Sequence, residues 1–105
     1  MTELKSKTVL VTGAIGGIGK RVVAKLETLG AQILAVDVAP EDEAKSILRD
    51  AGLSNINYFR ADLTSSDDLA RLFSWASSYP VDALVALAGI VVSGDLVKQT
   101  DEEIS

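Results

Sequence analysis

Four short apolar segments alternate with longer segments of mixed polarity along the chain. The apolar segments have the length of strands and lack the polar alternation of a half-exposed strand, which is typical of strands buried on both faces of a parallel sheet. They cover residues 8–11, 32–36, 56–59 and 83–88. With right-handed crossovers, this pattern predicts a three-layer α/β/α fold with a parallel sheet in the strand order 3-2-1-4, a partial doubly wound fold.

The segments between the strands have the periodicity and boundary residues of helices. Gly30 stands where a helix C-terminal glycine is expected, and Pro40, followed by three acidic residues, begins the second helix. The residues expected to face the sheet are Ile18, Val22, Leu26 and Leu29 in the first helix, Ala44, Ile47, Leu48 and Ala51 in the second, and Leu69, Leu72, Phe73 and Ala76 in the third, which Ser65 caps. A capping-box pattern at residues 100–103 predicts a fourth helix, so that residues 1–105 form one domain ending at the start of that helix.

The composition is that of an ordinary globular domain, with 48% hydrophobic and 24% charged residues. The sequence contains neither cysteine nor histidine, which excludes disulfides, thiolate catalysis and histidine-based acid–base or metal chemistry, and favours a cytoplasmic protein. The formal net charge is −5 and there is no basic stripe, so nucleic acid is not an expected partner. We also expect no membrane partner, because no apolar run approaches the ~20 residues of a membrane span.

A glycine-rich stretch, residues 12–20, connects the first strand to the first helix. It brings together the unpaired N–H groups and the positive dipole end of a helix N-terminus, and so predicts an anion site, most simply for a dinucleotide pyrophosphate. A P-loop is disfavoured by Ala14 at its first position and by Arg21 where a Mg²⁺-binding hydroxyl is required. The spacing G-x-G-x-x-G is not met in register either, because Ile15 occupies the second position.

A second candidate group, Asp37, follows the second strand, 18 residues after Gly19. A carboxylate at this position can accept hydrogen bonds from both ribose hydroxyls of an adenosine, and it repels a 2′-phosphate. A simple polar residue at a strand end is the alternative interpretation. In the predicted strand order the switch point lies between strands one and four, where the glycine-rich stretch and Ala88-Gly89 fall, and ligands bind at such points.

The spacing Thr12-Gly13-x-x-x-Gly17-x-Gly19 resembles the T-G-x-x-x-G-x-G motif of the short-chain dehydrogenase/reductase family. The resemblance covers almost the whole chain, as the first half of a Rossmann-type family domain. It implies that Asp62 contacts the adenine amino group, and that NAD(H) is preferred to NADP(H), because neither Gly16 nor Val38 is basic. The cofactor-binding residues that it implies are Gly13, Ile15, Gly16, Gly17, Ile18, Gly19, Asp37, Val38, Asp62, Leu63, Ala88 and Gly89.

The sequence departs from the family pattern at three places, and the first is Ile15, which replaces a residue that is commonly small or polar in the family. Ala86 and Leu87 stand where the family has two asparagines, so side-chain hydrogen bonds of that strand are expected to be lost. Neither Tyr58 nor Tyr79 has a lysine four residues later, so the Tyr-x-x-x-Lys pair of the family is missing and no catalytic residue or metal ligand is assigned. We predict the NAD(H)-binding portion of an oxidoreductase that moves a hydride between a nicotinamide cofactor and a small alcohol or carbonyl substrate, inactive by itself.

An alternative hypothesis is a non-catalytic nucleotide-binding or interaction module that is complete at 105 residues. Under the first hypothesis the dinucleotide is the partner of this chain, and the small-molecule substrate binds only together with a C-terminal half. The apolar fourth strand would be left at the edge of the sheet, and exposed apolar edges favour association. We therefore expect the chain to associate with itself or with a partner, or to be only marginally stable, and a homo-oligomer is the predicted state.

Overall fold

The computed structural model describes residues 3–53 and 56–87. Four strands and three helices alternate along these residues. They are β1 (Thr8–Thr12), α1 (Gly17–Thr28), β2 (Gln32–Asp37), α2 (Glu41–Asp50), β3 (Ile56–Arg60), α3 (Ser66–Ala76) and β4 (Val81–Ala86). The strands form one parallel sheet in the order β3-β2-β1-β4, which confirms the predicted Rossmann-type architecture.

The two central strands, β1 and β2, carry most of the core. All five residues of β1 are buried, and the middle of β2, from Ile33 to Val36, is fully buried. Alternate side chains face opposite sides of the sheet, so Val11 and Ile33 pack with α1 and α2, whereas Leu34 packs with α3. Each fully buried aliphatic side chain stabilises the fold by about 1.5–3 kcal/mol relative to exposure. The middle of each strand is therefore an uninterrupted apolar run.

Two helices end at a glycine in the left-handed region, and the first of these glycines, Gly30, confirms the end predicted for α1. Gly30 has a φ of 94°, and the N–H groups of Gly30 and Ala31 donate to the carbonyl oxygens of Glu27 and Leu26. Gly52 has a φ of 78° and ends α2 in the same manner. This double closure of the last turn is the Schellman motif, which sends the chain directly into β2 after α1.

The expected inward face of α1 is wrong at Ile18, which is 71% exposed. The residue that faces the sheet in this turn is Gly19, because a Cβ atom there would lie 2.0 Å from the carbonyl oxygen of Gly13. Successive helical residues are rotated by about 100°, so Ile18 points away when Gly19 and the fully buried Val23 point inward.

Two further expected inward residues are exposed, in α3 and after α2. Phe73 is 67% exposed because the face of α3 that packs on the sheet runs through Asp68, Leu72 and Ala76. Ala51 is exposed because α2 ends at Asp50, so Ala51 lies in the terminating turn.

β4 begins and ends earlier than the sequence predicts. It starts at Val81, and Asp82 interrupts the apolar pattern that otherwise marks the strand. The interruption has a structural reason, because the Asp82 carboxylate accepts a hydrogen bond from the backbone N–H of Thr8 at 2.8 Å, beside an irregularity in the β1–β4 register. Among the described residues β4 is the last strand of the sheet, and its first three residues are exposed.

Candidate functional site

The carboxyl ends of β1, β2 and β3 open into a cleft of about 200 Å³. Its walls are formed by Gly13, Val36, Asp37, Val38, Ala61, Asp62, Leu63 and Thr64. Five of these are residues that the sequence predicts to bind a cofactor, namely Gly13, Asp37, Val38, Asp62 and Leu63. The fold therefore brings residues from three separate loops to one place.

The glycine-rich turn forms the β1 side of the cleft. Gly13 has a φ of 69°, in the region that favours glycine, and Gly19 packs against the backbone of Gly13 and Ala14. Gly16 is the N-cap of α1 and supplies no side-chain hydrogen bond, and the first turn of α1 has no acidic residue, whereas α2 and α3 have three and two. The N-terminus of α1 thus keeps its positive dipole end without a neighbouring carboxylate in its own first turn.

The other predicted residues of the turn surround this helix N-terminus. Gly16, Gly17 and Ile18 are exposed, and Ile15 is half-buried. Ala88 and Gly89 lie outside the described residues, as does the predicted fourth helix.

Asp37 connects the glycine-rich turn to the end of β2. One oxygen of its carboxylate, Oδ2, accepts a hydrogen bond from the N–H of Ile15 at 2.9 Å, and Oδ1 accepts one from the N–H of Val38 at 2.7 Å. The backbone N–H of Ala14 also donates to the carbonyl oxygen of Val36 at 3.2 Å. The carboxylate is therefore held at the wall of the cleft, with remaining lone pairs for a ligand, because a carboxylate can accept about four hydrogen bonds.

Asp62 begins the loop after β3. Its Oδ1 accepts hydrogen bonds from the hydroxyl of Thr64 at 2.6 Å and from the N–H of Thr64 at 2.9 Å. These bonds, the side-chain one first, lower the pKa of Asp62 below its usual value. The same bonds fix the orientation of the carboxylate at the rim of the cleft.

Two residues of β3 that sequence reasoning missed hold the loop after β2. The hydroxyl of Tyr58 lies 3.0 Å from the carbonyl oxygen of Asp37 and 2.7 Å from that of Ala39, and shares its proton between them. The Nε of Arg60 donates to the carbonyl oxygen of Val38 at 3.2 Å. The sequence shows only that Tyr58 and Arg60 are two residues apart on β3. Their contacts with the loop after β2 follow from the β2–β3 register, which places Arg60 opposite Asp37.

Asp68 is a third missed residue, and it is 6% exposed. The sequence predicts a helix cap at Ser65, which is confirmed by the hydrogen bond from the Asp68 N–H to the Ser65 Oγ at 3.2 Å. The Asp68 carboxylate reaches farther and accepts the N–H of Asp62 at 2.8 Å. It also pairs with Arg71 on the next turn of α3.

The hydroxyl of Thr12 is buried and has no hydrogen-bond partner among the described residues. Thr12 lies opposite Ala86 in the β1–β4 register, and its carbonyl oxygen accepts from the N–H of Leu87 at 3.2 Å. Alanine has no polar atom to offer, so the two strands are joined here through backbone bonds alone. The side-chain hydrogen bond of β4 lies instead at the start of the strand, where Asp82 accepts the N–H of Thr8.

Tyr58 gives the fold a measurable pH dependence. Burial raises the pKa of Tyr58 to about 12, and the charge of Asp37 adds to this effect. The neutral phenol is favoured in the fold, so its stabilisation is fully present below pH 10 and is lost as the pH rises from 10 towards 12. We expect Tyr58→Phe to lower the free energy of unfolding by about 1 kcal/mol at pH 7, because two carbonyl groups lose their donor.

Denaturant unfolding at pH 7, 10 and 11.5 checks this expectation. The wild-type chain should lose about 2 kcal/mol more than Tyr58→Phe over the alkaline range. Tyr79→Phe is the matched control, and it should retain the wild-type alkaline decline because Tyr58 is intact. Equal alkaline declines in the wild type and in Tyr58→Phe would contradict the assignment.

Within residues 3–53 and 56–87, no three His, Cys, Asp or Glu side chains are grouped so that they could hold a metal ion. None of the helices in the same ranges has the length and the apolar character needed to cross a membrane.

The parallel sheet in the order 3-2-1-4, with a glycine-rich turn leading into α1, defines a Rossmann-type α/β protein. The family model described as short chain dehydrogenase matches residues 7–105, and the chain belongs to this short-chain dehydrogenase/reductase family. Proteins of the family are oxidoreductases that generally use nicotinamide cofactors with small-molecule substrates.

Characterised relatives support the family assignment along most of the chain. The chain is 33% identical to 2,3-dihydro-2,3-dihydroxybenzoate dehydrogenase of Bacillus subtilis, over 95% of this chain and 40% of the relative. It is also 33% identical to acetoacetyl-CoA reductase of an Acinetobacter strain, over 96% of this chain and 43% of the relative. Among solved structures, a short chain dehydrogenase from Mycobacterium smegmatis superposes with a TM-score of 0.70 at 31% identity, over 98% of this chain and 45% of that chain. The chain thus spans less than half the length of these relatives.

Proposed function

We propose that this chain forms the NAD(H)-binding part of a short-chain dehydrogenase/reductase. The observation that carries the proposal is the hydrogen bond from the N–H of Ile15 to the Asp37 carboxylate, which holds this acid beside the glycine-rich turn at the wall of the cleft. Dinucleotide-binding folds place their ribose acid and phosphate turn at this position. The whole protein would move a hydride between the nicotinamide cofactor and a small alcohol or carbonyl compound.

The described residues fit the adenosine and pyrophosphate parts of such a cofactor. Asp37 would accept the ribose hydroxyls, and Asp62 would accept the adenine amino group, because each carboxylate is held at the cleft by neighbouring N–H groups. The turn residues Gly13, Gly16, Gly17, Ile18 and Gly19 would surround the pyrophosphate with their N–H groups, and the N-terminus of α1, which has no acidic residue in its first turn, would attract its charge. Ile15, whose N–H is bonded to Asp37, would line the same turn. Val38 and Leu63 would complete the surface against the cofactor, and contacts of Ala88 and Gly89 stay a prediction from the sequence.

The charges around Asp37 favour NAD(H) over NADP(H). A 2′-phosphate beside the Asp37 carboxylate would be repelled, and Gly16 and Val38 provide no cation to offset that repulsion. Arg60 is a cation at the same edge of the sheet, but its Nε donates to the Val38 carbonyl oxygen, and its Nη1 lies 3.9 Å from the Asp68 carboxylate. The Arg60 guanidinium group is therefore already directed towards the Asp68 carboxylate.

The cofactor supplies the hydride chemistry when it is bound, and this chain contributes binding and orientation without acid–base catalysis. Neither tyrosine is followed by a lysine at the family spacing. Tyr58 is also unsuited to proton transfer, since its hydroxyl is engaged by two backbone carbonyls and burial raises its pKa to about 12. The proton-transferring residues would belong to a longer chain, and the homo-oligomeric state and cytoplasmic location stay predictions.

Titration of the purified chain with NADH, NADPH, AMP and nicotinamide mononucleotide tests this proposal. We expect saturable binding of NADH and AMP at one site, with NADH at least about tenfold tighter than NADPH. Nicotinamide mononucleotide should bind much more weakly, because the described cleft is the adenosine end of the site. No turnover of NADH with carbonyl compounds is expected. Failure to bind both NADH and AMP would refute the binding assignment.

A further inference from the structure

The Asp68 carboxylate is buried in the wall between α3 and the loop that begins at Asp62. It lies at the third residue of α3, where an acidic side chain usually turns back to the N–H of the capping residue. Here the capping residue, Ser65, instead donates its N–H to the carbonyl oxygen of Asp62 at 3.0 Å, and Asp68 accepts the N–H of Asp62 at 2.8 Å. Both backbone polar groups of Asp62 are therefore bonded to the start of α3.

Two arginines, Arg60 and Arg71, compensate the negative charge of the Asp68 carboxylate. Its Oδ1 pairs with Arg71 on the following turn, and its Oδ2, which also receives the Asp62 N–H, lies 3.9 Å from the Nη1 of Arg60. A carboxylate with 9% of its side chain exposed is unfavourable without such partners. Both arginines are more than half exposed, so the ion pairs themselves contribute little, and the hydrogen bond to Asp62 is the buried part of the arrangement.

The same contacts connect the two loops that border the cleft. Arg60 reaches from Asp68 to the carbonyl oxygen of Val38, in the loop after β2, and Asp68 holds the N–H of Asp62, in the loop after β3. The Asp62 side chain is separately fixed by Thr64. With its backbone anchored by Asp68 and its carboxylate by Thr64, Asp62 presents one orientation to the cleft.

We propose that Asp68 is a positioning residue that sets the recognition of the adenine base through Asp62. The proposal rests on the proposed function, because it requires an adenine nucleotide in the cleft. An amino group at purine C6 donates to the Asp62 carboxylate, whereas a C6 carbonyl oxygen is repelled by it. Loss of the Asp68 anchor would therefore reduce the preference for AMP over IMP, and loss of a merely structural contact would weaken both ligands equally.

The experiment compares AMP and IMP binding by calorimetry in the wild type and in Asp68→Ala, Asp68→Asn and Asp67→Ala. We expect a preference for AMP of about tenfold or more in the wild type, from one charge-assisted hydrogen bond, and below about threefold in Asp68→Ala. Asp68→Asn keeps an oxygen that can accept the Asp62 N–H, so it should retain most of the preference. Asp67→Ala removes an exposed acid from the same helix turn and is the matched control, with an unchanged preference.

Hydrogen exchange at the Asp62 amide gives a reading without ligand. This amide should be protected in the wild type and in Asp67→Ala, and unprotected in Asp68→Ala. An unprotected amide in the wild type would overturn the proposal, and this reading does not require that Asp68→Ala folds. An unchanged AMP preference in folded Asp68→Ala would overturn it as well, while leaving the proposed function intact. If the wild type binds neither AMP nor NADH, the proposed function fails first and the positioning role with it.

Discussion

Substitution of Gly19 by alanine is expected to abolish NADH binding and to lower the free energy of unfolding by about 3 kcal/mol, at the upper end of the usual cost of overpacking. The added Cβ would lie 2.0 Å from the Gly13 carbonyl oxygen and 2.9 Å from the Cα and carbonyl carbon of Ala14. All three are backbone atoms, so no side-chain rotation relieves the overlap. The N-terminus of α1 would have to move away from β1, and the glycine-rich turn would open.

Gly17→Ala is the matched control for this prediction. A Cβ at Gly17 meets nothing within 4 Å, so stability should be retained or slightly raised, since alanine is the better helix former. Thermal unfolding followed by circular dichroism measures stability, and NADH fluorescence measures binding. A Gly19→Ala variant that unfolds at the wild-type temperature would show that the close approach of α1 and the turn does not exist.

Replacement of Asp37 by alanine is expected to weaken NADH binding about 100-fold, corresponding to two charge-assisted hydrogen bonds of modest strength. The affinity for NADPH should fall less or rise, because the charge that repels a 2′-phosphate is removed. The change also removes the acceptor for the N–H groups of Ile15 and Val38, so part of the loss reflects a less ordered turn.

Asp37→Asn separates the two contributions. The asparagine side chain can still accept the N–H of Ile15, so it should keep the wild-type melting temperature more closely than alanine, while binding NADH weakly and tolerating NADPH. Asp42→Ala, which removes an exposed acid from α2, controls for net charge. Unchanged selectivity between NADH and NADPH in both Asp37 variants would count against the NAD(H) assignment.

The strands and their order could be predicted from the sequence because burial on both faces leaves a strong signal. Every residue of β1 is buried, and Ile33 to Val36 of β2 are wholly inaccessible, so apolar side chains occupy the middle of both strands. β4 was located less accurately, because Asp82 at its start is used to bond the Thr8 N–H and breaks the apolar run. A polar side chain that makes such a hydrogen bond interrupts the apolar pattern from which the strand is predicted.

The helix faces were harder to predict because the residues that fix them carry no hydrophobic signal. In α1 the rotation is set by Gly19, which has no side chain, and so the more hydrophobic Ile18 was assigned to the wrong side. In α3 the inward face includes the buried Asp68, and so Phe73, on another side of the helix, was assigned to the core together with Leu69, Leu72 and Ala76. Hydrophobic periodicity cannot recognise a glycine or a paired charge as an inward position.

The residues of the candidate cleft that lie at the ends of strands could be predicted from the sequence. The residues that contact a neighbouring loop through the strand register were missed. Gly13 follows β1, Asp37 is the last residue of β2 and Asp62 lies two residues after β3, so the common edge of a parallel sheet brings them together. Tyr58 and Arg60 act through carbonyl groups of the neighbouring loop, and that contact exists only in the observed β2–β3 register.

The position of β1 also determines the order in which the fold can be completed during synthesis. β1 is made first, but it pairs with β4 on one side, and the Thr8–Asp82 hydrogen bond joins residues 74 positions apart. At a translation rate of roughly 5–20 residues per second, β4 follows β1 by about 4–15 s. During that interval β1, in which every residue is buried in the finished fold, has at least one unpaired edge, so a nascent chain depends on early pairing of β1 with β2 to limit its exposure.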